Sequence, residues 1–375
     1  MKIAYVLPIN IERYTGVLYK VKSQVTEWKK QGNDVKIFLI TSSNKDISHT
    51  PLSDLKNDIE IINIMSLLGG ALELFLDFLG LSINYKNLDK KIDGFGPDII
   101  YARNSIYQPF LNGLSKKWKV VFEVNTDMKA EYSLQKYDSL KYYFRYIYFI
   151  LTNQFLLNKV SGIASVTYDI AKSLNHNNIK VFPNSINIYE NSLNEFLHSE
   201  IEQNRIFFIG TDKMIWHGID ILLKLAERMP NFNFDIVGSS RPDSINIPSN
   251  VQFYGFLNKE EYKKVLAKAT VTIASLAFFR NNMEEACPLK VREYMSFCKP
   301  IILPYKDTCF INQDIPEWIL ELPNNKEGIL ESTDKIKDFV YKCRNLIISQ
   351  SEVEKFVHVS EIEKNRLAFF HEIKD

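Results

Sequence analysis

Residues 283–304, MEEACPLKVREYMSFCKPIILP, are the stretch that decides the fold. Pro288 is expected where a helix begins, because proline has no N–H to leave unpaired there and its φ is already helical. The first turn of this helix would offer unpaired N–H groups and the positive end of the helix dipole to an anion. Pro300 should end the helix, and the apolar run at 301–303 predicts a strand. The stretch therefore predicts a helix-to-strand unit of an α/β fold with an anion site at the helix start.

Two glutamates, Glu285 and Glu293, stand on either side of this helix start with seven residues between them. Glu285 would lie just before the helix and Glu293 in its second turn. Ionised carboxylates only accept hydrogen bonds, so they suit the hydroxyl groups of a sugar or a ribose. Two glutamates at this spacing are also common on a solvated helix face, so the spacing alone does not decide between the two interpretations.

The complete pattern, with Pro-Leu-Lys at the helix start and Glu-Tyr-Met before the break at Pro300, resembles the E-x7-E signature of retaining glycosyltransferases of family four. The resemblance implies the GT-B fold, an α/β architecture of two Rossmann-like domains that face a central cleft. It covers nearly the whole chain, most closely at residues 205–304. The expected parts are an acceptor-side domain at 1–188, a linker at 189–204, a nucleotide-sugar-binding domain at 205–350 and a C-terminal helix at 351–375 that crosses back to the first domain.

Length and composition agree with two globular domains. The 375 residues are enough for two hydrophobic cores, and the 46% hydrophobic and 24% charged residues are an ordinary globular composition. A net charge of +1 gives no global field that would attract nucleic acid or an acidic membrane, which leaves only a local basic patch open. The four cysteines lack metal-ligand spacing and indicate a reducing compartment. Because Ile3 already begins a strand, we expect no secretory signal and a cytoplasmic location.

Polar residues near the ends of the first-half strands are candidates for ligand contacts. Ligands of open parallel sheets meet the carboxyl ends of the strands. Arg103 and Asn125 each follow a strand, Glu131 lies shortly after, and Gly16 stands in the loop after the first strand. The resemblance implies a donor-binding role for Gly16 and a sugar-facing role for Asn125, at a position where relatives often have histidine. Arg103 and Glu131 are acceptor-side candidates, and each of the four residues could equally serve the fold.

The loop that opens the second half departs from the pattern of its relatives. Many relatives grip the diphosphate with Arg and Lys at the places where this chain has Thr211 and His217. The resemblance therefore makes Lys290 the best candidate for the cation that binds the diphosphate, with Thr211 as a further donor-binding residue. Tyr254 stands where relatives hold the nucleobase against backbone groups. The cations that could assist Lys290 are Arg280, Lys213 and a protonated His217.

Two apolar stretches, residues 65–81 and 142–159, raise the question of membrane contact. The first is shorter than the roughly 20 residues that a bilayer span needs and contains two acids, so we expect a core helix or a membrane-facing helix there. The second is strongly aromatic and contains Arg145 and Lys159. It predicts a helix that either packs inside the first domain or lies at a membrane interface.

The resemblance implies transfer of a sugar from a nucleotide diphosphate sugar to a hydroxyl of a glycan or lipid-linked acceptor, with retention, in surface polysaccharide synthesis. Glu285 would position the sugar and Glu293 the ribose. Pro288, the amides of Leu289 and Lys290, and the Lys290 ammonium would hold the diphosphate. The absence of a D-x-D motif favours a metal-independent site, and no cofactor is expected. The alternatives are a nucleotide-sugar epimerase, a phosphorylase or a non-enzymatic binding scaffold.

Overall fold

The computed structural model describes residues 1–9, 11, 15–41, 46–63, 86–185, 203–212, 214–242 and 246–375. The chain divides into two compact units. Unit 1 comprises Met1–Pro183 and Val359–Asp375, and unit 2 comprises Asn184–His358. The sequence predicts the corresponding limits near 188 and 351, and most of the predicted linker lies outside the described residues.

Among the described residues of unit 1, seven parallel strands form one sheet in the order β3-β2-β1-β4-β5-β6-β7. Most of their residues are apolar, as is usual for parallel strands that are covered on both faces. Their bounds are β1 Lys2–Pro8, β2 Asp34–Thr41, β3 Ile59–Asn63, β4 Ile99–Arg103, β5 Val120–Val124, β6 Gly162–Ser165 and β7 Ile179–Val181.

The described part of unit 2 has a second parallel sheet, with strand order β10-β9-β8-β11-β13-β15. A separate pair of two-residue strands, β12 and β14, lies outside this sheet. The bounds are β8 Arg205–Ile209, β9 Asn233–Val237, β10 Val251–Gly255, β11 Val271–Ile273, β12 Glu285–Ala286, β13 Ile301–Leu303, β14 Lys306–Asp307 and β15 Ile319–Glu321.

Helices connect the strands of both sheets. Residues 86–95 belong to α2. The other described helices are α1 Thr15–Lys30, α3 Pro109–Lys117, α4 Met128–Gln135, α5 Leu140–Leu157, α6 Tyr168–Ser173, α7 Ile219–Arg228, α8 Lys259–Lys268, α9 Leu289–Ser296, α10 Lys326–Glu331, α11 Thr333–Cys343, α12 Gln350–Val357 and α13 Val359–Lys374.

The alternation of strand and helix confirms the predicted fold class, an α/β protein with two Rossmann-like parallel-sheet domains. The sequence interpretation of the C-terminal part was less accurate. It predicted two helical segments beyond Ser332, whereas the structure has α11, α12 and α13. His358 has extended dihedral angles, with φ −63° and ψ 122°, and these end α12 before α13 begins.

The last helix, α13, belongs to unit 1 because its side chains complete the core of that unit. Trp28 donates its indole N–H to Glu363 Oε2 at 2.8 Å, and Arg366 donates to the Tyr101 hydroxyl at 2.8 Å. The Phe370 ring packs against Trp28 and Tyr101, with centroids 5.5 and 5.2 Å apart. These buried contacts explain why the chain returns to the first sheet at its end.

Two loops of unit 2 approach each other closely at the carboxyl ends of β8 and β9. Gly238 has φ +82°, and a Cβ there would lie 2.5 Å from the carbonyl oxygen of Gly210. Gly255 has φ +65°, but nothing lies within 4 Å of a Cβ at that position. The two glycines therefore differ in steric space while sharing a backbone conformation that L-residues rarely adopt.

We expect Gly238→Ala to lower the free energy of unfolding of unit 2 by about 3 kcal/mol, since backbone strain and a steric clash add. Gly255→Ala is the matched control and should lose about 1 kcal/mol from strain alone. Urea unfolding followed by circular dichroism measures both. Equal losses in the two variants would contradict the close approach at Gly238.

No helix in the described ranges is long and apolar enough to cross a membrane. The apolar stretch at 65–81 lies outside the described residues. The aromatic stretch at 142–159 corresponds to α5, which packs on Ile106 and Tyr132 through its own Phe149.

Candidate functional site

The predicted helix start is present in unit 2, one residue later than expected. Pro288 is the N-cap of α9, with φ −73° and ψ 141°, and the helix itself begins at Leu289. Because proline has no side-chain acceptor, the first N–H groups of α9 receive no side-chain cap. The helix start is therefore free of the intramolecular side-chain bond that usually occupies it, and it suits an anion.

Lys290 brings a cation to this helix start. Its ammonium donates to the Ile209 carbonyl at 2.7 Å and to Ser275 Oγ at 3.1 Å, and it lies 4.8 Å from the centroid of the Phe208 ring. Burial lowers the pKa of Lys290 to about 7. An ammonium has three donors, so the two acceptors found among the described residues leave one for a ligand. A phosphate nearby would favour the charged form.

His217 is buried, and its surroundings disfavour a charged ring. Burial, with a contribution from the Lys290 charge, lowers the pKa of His217 to about 2. Its Nδ1 accepts the backbone N–H of Thr211 at 2.9 Å, which places the proton of the neutral ring on Nε2. Burial thus opposes the protonated form of His217 in the ligand-free chain, and its part as an assisting cation stays a prediction. The ring fixes the loop at Thr211. Lys213 lies outside the described residues.

Arg280 is held against the other side of the same loop. Its guanidinium forms two hydrogen bonds with the Asp220 carboxylate, at 3.0 and 2.7 Å, and donates to the Ile215 carbonyl at 2.7 Å. The structure thus uses Arg280 to join α7 to the short 3-10 turn before it. To bind a diphosphate as predicted, the Arg280 guanidinium would have to donate to the phosphate as well as to Asp220.

Glu285 is placed by the short strand β12, which pairs with β14. The side chain is only 3% exposed, and it accepts a hydrogen bond from Thr308 Oγ1 at 2.7 Å. One oxygen of the carboxylate is thereby oriented by a neighbouring hydroxyl. A carboxylate fixed in this way is a rigid acceptor, suited to a ligand hydroxyl, and differs from the flexible surface glutamate that the spacing alone would allow.

Glu293, on α9, receives a hydrogen bond from the hydroxyl of Tyr262 on α8. Burial raises the pKa of Glu293, and the Tyr262 bond partly opposes this effect. The neighbouring Tyr294 is fully buried and accepts the backbone N–H of Ile209 at 2.8 Å. Tyr294 and Lys290 both bond to Ile209, and the two bonds hold the start of α9 against the end of β8. The position of the Lys290 side chain is therefore fixed.

A buried ion pair behind the helix was missed from the sequence. Arg292 is 1% exposed and contacts Asp307, which is also 1% exposed. Burial would lower the pKa of Arg292, but the Asp307 carboxylate raises it, so the guanidinium stays charged. The same guanidinium donates to the Asn184 carbonyl at 2.8 Å and to Cys287 Sγ at 3.0 Å. It therefore fixes α9 to β14, whose partner strand carries Glu285.

Tyr254 lies on β10, and its hydroxyl donates to Asp235 Oδ1 at 3.1 Å. Asp235 also receives two hydrogen bonds from Arg205, at 2.7 and 2.8 Å. The side chain of Tyr254 thus serves the sheet, and the nucleobase contact expected from the resemblance stays a prediction.

The candidates of unit 1 lie in a separate polar cluster at the carboxyl ends of β4 and β5. Lys20 and Glu123 form a buried ion pair at 2.7 Å, and Lys20 also donates to Asn125 Oδ1 at 2.6 Å. Burial would raise the pKa of Glu123, but Lys20, Arg103 and Arg366 hold it well below its usual range. Arg103 approaches Glu123 to 3.7 Å. Lys20 was not predicted from the sequence, because it falls on the buried face of α1.

Glu131 and Gly16 are more peripheral in unit 1. Glu131 accepts a hydrogen bond from Thr126 Oγ1, and burial raises its pKa. Gly16 is the second residue of α1 and is exposed. A glycine at a helix start is the simpler of the two interpretations left open for Gly16, and its donor-binding role stays a prediction.

No group of three or more His, Cys, Asp or Glu residues that could hold a metal ion occurs in the part of the chain that the structure describes. The four cysteines are free thiols.

Comparison with known proteins relates unit 2 to a family of enzymes. Residues 203–348 match the family model described as "Glycosyl transferases group 1". This match contains Lys290 and both glutamates of the helix start. No curated protein matches the chain.

Solved structures resemble the chain over its full length. A sucrose-phosphate synthase from Thermosynechococcus elongatus is 13% identical, with a TM-score of 0.71 over 100% of this chain and 99% of that chain. A glycosyltransferase from Rickettsia africae is 14% identical, with a TM-score of 0.65 over 99% and 98%. An alpha-glucosyltransferase in complex with UDP-glucose and DNA is 13% identical, with a TM-score of 0.62 over 99% of each chain. At these identities the likeness shows the GT-B fold, and the family match supports glycosyl transfer as the class of activity.

Proposed function

We propose that the chain is a retaining glycosyltransferase of family four, which transfers a hexosyl group from a nucleotide diphosphate sugar to a hydroxyl of a glycan or lipid-linked acceptor without a metal ion. The observation that carries the proposal is the Lys290 ammonium beside the uncapped start of α9. A cation and unpaired amides together bind a diphosphate and stabilise the negative charge that develops on it as it leaves.

The two carboxylates then accept hydrogen bonds from hydroxyl groups around the diphosphate. Glu285, held by Thr308, accepts hydroxyls of the donor sugar, and Glu293 accepts those of the ribose. The Tyr262 hydroxyl already donates a hydrogen bond to Glu293. The ribose hydroxyls would therefore share this carboxylate with Tyr262. Asn125 of unit 1 is assigned to a further sugar hydroxyl. Its Oδ1 accepts from Lys20, and its buried amide N–H₂ has no partner among the described residues, so this group can donate to a sugar oxygen.

In the proposed reaction the bond between the anomeric carbon and the diphosphate oxygen breaks, and a bond from the acceptor oxygen forms on the same face. The acceptor proton passes to the departing phosphate oxygen. Lys290 and the α9 amides stabilise the leaving group, and neither glutamate forms a covalent intermediate. Arg103 and Glu131 of unit 1 are assigned to the acceptor.

A cytoplasmic enzyme at the inner membrane face, acting in surface polysaccharide synthesis, is the setting that fits a lipid-linked acceptor. The net charge of +1 does not favour nucleic acid as the acceptor. The similarity to a glucosyltransferase solved with DNA concerns the fold alone.

The proposal is tested by incubating the purified chain with a panel of nucleotide diphosphate sugars and following slow donor hydrolysis by NMR. We expect release of nucleoside diphosphate from one donor, and a sugar product that first appears with the anomeric configuration of the donor. Release of an epimerised sugar, or cleavage only with inorganic phosphate, would identify an epimerase or a phosphorylase instead. A chain that binds no nucleoside diphosphate would be a scaffold.

A further inference from the structure

The exposed face of α5 is apolar, which is the reverse of an ordinary surface helix. Its exposed large hydrophobic residues are Leu140, Tyr143, Phe144, Ile147, Ile150, Leu151 and Phe155. At 3.6 residues per turn these seven positions fall within an arc of about 140°. We call them the α5 apolar face. The opposite side of the helix packs on Ile106 and Tyr132 through Phe149, so the helix is anchored in unit 1 while this face is open.

The degree of exposure separates this face from scattered surface hydrophobics. Leu140, Leu151 and Phe144 are 77%, 74% and 65% exposed. Tyr137, just before the helix, extends the face and is 82% exposed. Contiguous apolar patches of this kind mark an interaction site in soluble proteins, because single exposed side chains are common but aligned ones are not.

The charges around the α5 apolar face are almost all positive. Residues 136–159 contain four cations and one acid, Asp138. The Lys136 ammonium lies 4.9 Å from the Tyr137 ring centroid, and the Lys159 ammonium lies 5.3 Å from that of Phe155. Both lysines therefore lie against rings of the apolar face or its extension, one at each end of the helix. The other two cations are Lys141 and Arg145, and Arg145 lies against the buried Tyr132 ring on the packed side of the helix, so it does not flank the apolar face.

We propose that the α5 apolar face docks on an anionic lipid bilayer, with the helix lying in the plane of the interface. Aromatic and aliphatic side chains would enter the boundary between headgroups and acyl chains, and the flanking lysines would contact anionic headgroups. Charge complementarity selects lipid over a second copy of the chain. A two-fold contact would bring the flanking lysines of two copies toward one another, where they repel, whereas an anionic surface attracts both of them.

This inference rests on one part of the proposed function, the location at a membrane face. It does not depend on the donor site, because neither α5 nor its flanking lysines belong to that site. The test is sedimentation of the full chain with vesicles of phosphatidylcholine alone or mixed with phosphatidylglycerol. We expect binding to the mixed vesicles and little to the neutral ones. Phe144→Glu/Leu151→Glu should weaken binding at least tenfold, while Ile347→Glu should bind as the unaltered chain does. Ile347 is the matched control because it is 91% exposed in unit 2.

A second variant, Lys136→Gln/Lys159→Gln, keeps the apolar face and should bind the mixed vesicles about 30-fold more weakly. The proposal is overturned if the chain ignores the mixed vesicles, or if Phe144→Glu/Leu151→Glu binds them normally. It is also overturned if light scattering shows a dimer that this variant dissociates, since the face would then join two copies. Donor hydrolysis in solution should be unchanged in all variants. If the unaltered chain hydrolysed no donor, this result would count against the proposed function and not against docking.

Discussion

Glu285→Gln is expected to lower kcat/KM for the nucleotide-sugar donor by about 10²–10³-fold, the range found when one preorganised polar group is removed from an active site. The substitution keeps the shape of the side chain, and the amide oxygen can still accept from Thr308. The negative charge and one acceptor for a sugar hydroxyl are lost. Steady-state kinetics with the donor identified in the panel measures the effect, and circular dichroism checks that the fold is intact.

Glu284→Gln is the matched control for Glu285, because Glu284 is the adjacent residue and is exposed. It removes the same charge from the neighbouring position and should change kcat/KM less than about twofold, as expected for an exposed group that touches no ligand. Equal activity in the Glu285 and Glu284 variants would remove Glu285 from the site.

Lys290→Met is expected to lower kcat/KM by a similar factor of about 10²–10³, through loss of the cation that stabilises the departing diphosphate. Methionine keeps most of the length and apolar character of the lysine stem. In the free protein this change removes hydrogen bonds to Ile209 and Ser275 but also removes a buried cation, so the fold should tolerate it. The loss should fall mainly on kcat, since the charge on the diphosphate is greatest in the transition state.

Lys306→Met serves as the control for Lys290, because Lys306 is an exposed lysine on β14 close in sequence to the site. We expect near-normal kinetics in this variant. If both lysine variants were equally impaired, a general effect of charge would explain the loss better than a specific contact with the diphosphate.

Much of the fold could be predicted from sequence because its regular elements have strong local signals. The apolar run at Ile301–Leu303 forms a strand, and Asn258 with Glu261 forms the capping box that begins α8. Pro288 marks the start of α9 within one residue. These signals depend on backbone chemistry that neighbouring residues share, and tertiary contacts did not override them.

The parts of the site that could not be predicted depend on tertiary contacts. The strands β12 and β14 are two residues long, too short for any periodicity, yet they place Glu285. The sequence pattern does not distinguish Arg292 from other helix residues, and only its position beside Asp307 makes it part of a buried ion pair. The protonation of His217 is decided by burial, which no local pattern reveals.

The most direct test of the central claim is calorimetric titration of the chain with UDP, GDP, ADP and TDP at pH 8, in two buffers of different ionisation enthalpy. With a pKa of about 7, Lys290 is mostly neutral at pH 8 before ligand binds. A bound diphosphate favours the charged form of Lys290, so binding of the tightest ligand at pH 8 should be accompanied by uptake of roughly one proton by the protein. At pH 6 the uptake should be much smaller, because Lys290 is already charged. Lys290→Met should abolish the uptake. Binding without proton uptake at pH 8, or no binding of any of the four, would contradict the account.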